Sequence, residues 1–160
     1  MARLHINEIL DELLSLMETN LKTSLNLQGV YRGGLEWLPP NDLTSMVNGI
    51  WIKPSLTTDI ATVQMPKALQ MTYRFRIVLV RRMDLTNNVL KTKTDDAESI
   101  VEMIYDNFQL PNLSLTGGQV LWCLPISIEW EPEEDSFTAA LSADLTATAF
   151  LIEVQVRTRI

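Results

Sequence analysis

The sequence predicts an α+β fold in which two amphipathic helices pack on one mixed or largely antiparallel sheet with long strands and a C-terminal β-hairpin. Three observations predict it. Apolar residues recur every three or four positions in two segments, the signature of a helix with one buried face. They alternate with period two in three other segments, as on a half-buried strand. The order is helix, short strands, long strand, helix, then two long strands, and that order suits helices laid on one sheet.

The first helix is predicted over residues 6–25. Ile6, Ile9, Leu10, Leu13, Leu14, Met17, Leu21 and Leu25 form its apolar stripe, and Asp11, Glu12, Glu18 and Lys22 fall mostly outside it. Residues 26–68 are loop-rich, with short strands expected at 30–32 and 50–53. Pro39, Pro40, Asn41 and Asp42 make a turn between them. The Thr-rich stretch 55–67 reads as a long polar loop and a candidate contact surface. The clearest strand covers 69–82, with Leu69, Met71, Tyr73, Phe75, Ile77 and Leu79 on one face. Asp95 reads as the N-cap of the second helix, with Glu98 three residues on in a capping-box arrangement. Its stripe is Ala97, Ile100, Val101, Ile104, Tyr105 and Phe108. In the strand at 120–131, Val120, Trp122, Leu124, Ile126, Ile128 and Trp130 share a face. Pro125 cannot donate a ladder hydrogen bond, so that strand is bent, bulged or at an edge. The last strand, 145–159, points Phe150, Ile152, Val154 and Val156 one way and Glu153, Gln155, Arg157 and Arg159 the other.

Length and composition suit one domain spanning residues 1–160. The chain has 160 residues, 46% of them hydrophobic and 21% charged, enough apolar surface for a real core. A formal net charge of -7 disfavours phosphate backbones and anionic lipid surfaces unless a local basic patch overrides it. A single cysteine forbids an intrachain disulfide and fits a reducing compartment. No apolar run reaches the roughly 18 residues of a membrane span, and the N-terminal segment lacks the continuous apolar centre of a secretory signal. A cytoplasmic site of synthesis is therefore expected.

Groups that carry chemistry are sparse. His5 is the single histidine and reads as a surface or capping residue; any Ser-His-Asp triad would need it as base. Cys123 sits mid-strand between Trp122 and Leu124 and reads as a small buried hydrophobe. The pairs Gly33–Gly34 and Gly117–Gly118 fit no phosphate-cradling motif. Asp95, Asp96, Glu98 and Glu102 read as acids at a helix start, where the dipole favours them, ahead of a metal site. No catalytic, cofactor-binding or metal-binding residue is assigned, and no enzymatic activity is expected.

What remains is surface. A straight strand over 69–82 would span about 45 Å at ~3.3 Å per residue, against a diameter near ~40 Å for a compact chain of this length. Such strands either curl within one subunit or extend to meet another copy. Phe150, Ile152 and Val154 are candidates for that contact. Arg74 and Arg76 line one strand face, and Glu133, Glu134 and Asp135 crowd an acidic hairpin tip. These two groups either meet across subunits or stand solvated. Trp37 and Trp51 read as subsidiary-core residues or interface anchors.

The helix at 6–25, the strand at 69–82, the helix at 95–108 and the ending Ala149-Phe150-Leu151-Ile152-Glu153-Val154-Gln155-Val156-Arg157 together resemble the tail terminator (tail completion, or head-tail joining) proteins of long-tailed bacteriophages. The resemblance is one of pattern and size over most of the chain, not of a specific motif. It implies a ring, usually of six copies, seated on the last ring of tail-tube protein, ending tube growth and facing the neck or connector protein. It implies no catalytic residues, no cofactor and no membrane, with DNA only as cargo through a lumen. It places the protein at the tail-neck junction of a virion, after synthesis in the host cytoplasm. A different head-tail connector component, or a cytoplasmic adaptor domain of α+β fold, fits the same pattern.

Overall fold

The computed structural model describes residues 5–33, 48–55, 57–63, 68–82, 89–107, 115, 118–130 and 145–159. Two helices, α1 (Ile6–Leu21) and α2 (Val89–Asn107), accompany six strands among these residues. The strands are β1 (Gly29–Arg32), β2 (Gly49–Pro54), β3 (Asp59–Val63), β4 (Ala68–Arg82), β5 (Gly118–Glu129) and β6 (Leu145–Arg159). They form one sheet in the order β1-β2-β4-β6-β5, with β3 also paired to β4. Only β1 and β2 run parallel; the other pairs are antiparallel. The predicted α+β class, mixed sheet and terminal hairpin are present.

The alternation read from β4 and β6 decides which face is covered. Met71, Tyr73, Phe75, Ile77 and Leu79 of β4 meet Phe150, Ile152, Val154 and Val156 of β6 beneath α1 and α2. The α1 stripe Ile9, Leu10, Leu13, Met17 and Leu21 and the α2 residues Ala97, Ile100, Met103 and Ile104 close this core. Trp51, Val78, Val80, Ala147 and Ala149 pack on the opposite face, with the Tyr31 ring stacked on Trp51 at 4.5 Å. Trp51 therefore belongs to a subsidiary core; Trp37 lies outside the described residues.

Four expectations need correction. Phe150, Ile152 and Val154 are not on an open edge: β6 is an interior strand between β4 and β5, and all three side chains are buried in the subunit's own core. The 15-residue strands are instead paired within one chain. β6 covers β4 from Ala68 to Arg82, while β2 and β3 divide its other side. The polar stretch at 55–67 is not wholly loop, because Asp59–Val63 pairs with β4; its described side chains are exposed, so no burial pattern marks it. The second helix starts at Val89, which puts Asp95 inside the helix, ion-paired to Lys91 at i,i+4, and removes the capping box. Its first turns precede the apolar stripe, so hydrophobic periodicity does not mark them.

The end of α1 reconciles with the sequence. The N–H of Leu27 bonds to the carbonyl of Lys22 and that of Asn26 to Thr23, with Asn26 at φ 54. That is a Schellman termination, which asparagine tolerates in the left-handed region. Leu25 and Leu27 consequently still reach the core beyond Leu21.

Candidate interaction surface

At the sheet's edge among the described residues, β5 departs most from simple alternation. Its ladder to β6 shifts register between Val120 and Trp122 and again between Pro125 and Ser127. Each shift adds a residue and reverses which side chains face the core. Val120 and Cys123 turn inward, whereas Trp122, Leu124 and Ile126 are 40%, 39% and 49% exposed, with Trp130 just beyond at 42%. The six residues predicted to share a face are thus split. Pro125 signalled both the bulge and the edge position, but not the change of parity. Trp122 and Leu124 pair with Gln155 and Glu153, which places them on the face away from the helices.

That outer face also carries the predicted arginines. Arg74 reaches Asp59 Oδ2 at 3.0 Å, the Thr57 carbonyl at 3.0 Å and Glu153 Oε1 at 3.5 Å. Arg76 reaches Glu129 Oε2 at 3.3 Å. Both are engaged within their own subunit. Glu133, Glu134 and Asp135 lie outside the described residues. A cleft of about 100 Å³ lies between Ser55, Arg76, Ser127, Glu129 and Leu151, well below the ~300–1,000 Å³ of ligand pockets.

The reactive side chains are held in structural roles. His5 is not at the surface but fully buried. Its Nε2 lies 2.8 Å from Thr158 Oγ1 and its Nδ1 3.3 Å from Glu8 Oε1, and its main-chain N–H donates to the Tyr73 hydroxyl at 3.1 Å. Hydroxyl, imidazole and carboxylate stand in the order of a catalytic triad. Thr158 and His5 are both closed off from solvent, however, and the cluster joins the N-terminal turn to the last strand. Burial also raises the Tyr73 hydroxyl above its ordinary range. Burial pushes the Cys123 thiol up to about 12, so the reactive thiolate is suppressed.

Arg81 of β4 binds Asp96 of α2 bidentately at 2.9 and 3.1 Å and also donates to the Leu25 carbonyl after α1. Burial outweighs the attraction of Arg81 and holds the Asp96 carboxyl above its ordinary range. One guanidinium thus ties both helices to the sheet. Lys93 Nζ donates to the carbonyls of Trp130 and Ala147, the two stems flanking residues 131–144. Among the described residues no group of three or more His, Cys, Asp or Glu could hold a metal ion, and no helix is long and apolar enough to cross a membrane.

The fold and its exposed edge define an α+β sheet protein whose distinctive surface is an apolar outer strand. No protein-family model and no curated protein matches the sequence. Among solved structures the chain is similar to one from the virion of the native gene transfer agent (GTA) particle. The TM-score is 0.50 at 14% identity, over 86% of this chain and 84% of that one, a likeness of fold.

Proposed function

We propose that this protein is a structural component of a virion, forming a ring that caps the tail tube and joins it to the neck. The carrying observation is the likeness in fold, over most of both chains, to a chain of a gene transfer agent virion. The resemblance of its element order to tail terminator proteins supports the finer assignment. Its partners are further copies of the chain in a hexameric ring, the tail-tube protein below that ring and the neck protein above it, with no cofactor and with DNA only passing through.

 The role is non-catalytic, in keeping with a single histidine and a single cysteine that are both buried.

Imaging of purified particles tests this reading. Density for this chain should form one closed ring where tube meets neck, and a strain lacking the protein should make tubes of uncontrolled length without joined heads. Density spread along the tube or in the capsid shell, or particles that lack the chain, would refute it.

A further inference from the structure

We infer that neighbouring copies join by pairing the outer edge of β5 in one subunit with the outer edge of β3 in the next, so that the sheet continues from copy to copy. This rests on the ring reading above and names the surfaces that build it.

The argument begins with strand direction. β6 is antiparallel to β4 and β5 is antiparallel to β6, so β5 runs with β4. β3 runs against β4. The two edges lie on opposite sides of the sheet and point in opposite directions. A rotation that carries one copy to the next therefore brings them together antiparallel without inverting a subunit, as a head-to-tail ring requires.

The second point is what each edge exposes. Among the described residues β3 pairs only with β4, and its Asp59, Ile60, Ala61 and Thr62 are exposed, Ile60 at 58%. Its sequence, Asp-Ile-Ala-Thr-Val, contains no lysine or proline of the kind that blunts a free edge. β5 offers Trp122 and Leu124 on the outer face. Ala61 shares that face, because it pairs with Gln70, two residues from Thr72 in the same alternation. Bulky apolar side chains on one edge thus meet a small residue on the other. Pro125 and the two bulges interrupt the β5 ladder, which restricts pairing to short stretches and leaves the apolar side chains to carry the contact.

Disulfide trapping tests the edges separately from the ring. In a Cys123→Ala background, Ala61→Cys is mixed with Trp122→Cys or Leu124→Cys and oxidised, and the association state is measured by native mass spectrometry. A covalent dimer confined to the mixture is expected, since opposed antiparallel residues lie within disulfide reach. Ala61→Cys/Leu124→Cys in one chain should yield a ladder ending at one discrete largest species. Association without that cross-link overturns the edge pairing and leaves the ring reading standing. A dimer from Leu124→Cys alone means twofold β5–β5 pairing and overturns both. A chain that stays monomeric with no trapped product overturns the edge pairing, and the ring reading then depends on particle imaging.

Discussion

Gly118→Ala is the sharpest test of the packing at the chain's two ends. A Cβ at Gly118 would lie 2.8 Å from His5 Nε2 and 3.1 Å from Cε1. Comfortable contact needs about 3.5 Å or more, so the ring must retreat by roughly 0.7 Å. It is fully buried and held by Thr158 at 2.8 Å, so it retreats only by losing that hydrogen bond or by straining the core. Overpacking costs about 1–3 kcal/mol, and a lost hydrogen bond about 1 kcal/mol. A destabilisation of about 2 kcal/mol is expected, lowering a urea midpoint by about 1 M for a slope near ~2 kcal/mol per M. His5→Ala is itself destabilising, but it vacates the space. The double variant should therefore be more stable than the two single effects added together. A midpoint unchanged by Gly118→Ala, or strict additivity with His5→Ala, would refute the contact.

Asp96 sets a pH dependence of definite sign. Its folded carboxyl titrates above the unfolded value of 3.8, so its contribution to stability is full below that pH and is lost as pH rises through the folded value. The stability of the wild type relative to Asp96→Asn should fall as pH rises from about 3.5; chemical denaturation across that range measures it, and a rising difference contradicts the reasoning. Replacing both partners by Arg81→Met with Asp96→Leu should cost no more than about 1 kcal/mol in the same assay, the loss of the Arg81 bond to the Leu25 carbonyl being offset by relief of the buried charges. Cys123 should react with a thiol reagent at pH 8 only as fast as the protein opens, and prompt labelling of the native state would place its thiol outside the core.

The sequence made the central elements legible because their burial is one-sided. Alternation in β4 and β6 and the α1 stripe point to the core residues found there. The limits are equally physical. The described side chains of β3 are exposed, so periodicity has nothing to register there. The first turns of α2 precede its apolar stripe, and their side chains bond locally or to the strand stems, as Thr94 does to the Leu90 carbonyl and Lys93 to those of Trp130 and Ala147. In β5 two inserted residues change parity, and the exposed trio Trp122, Leu124 and Ile126 emerges only once the ladder register is known. His5 is a long-range case: its partners Tyr73 and Thr158 are 68 and 153 residues away.

The full-length pairing of β4 with β6 gives the molecule a direction of mechanical strength. Fifteen consecutive residues of each strand are matched, from Ala68 with Arg159 to Arg82 with Leu145. Ladder hydrogen bonds lie across the strands. Tension applied along the strands, from one end of β4 to the opposite end of β6, loads the whole ladder in shear at once. Tension that separates Arg82 from Leu145 opens the same ladder one pair at a time. A subunit held at opposite ends of the two strands resists pulling, whereas one held at the Arg82–Leu145 end of the ladder peels.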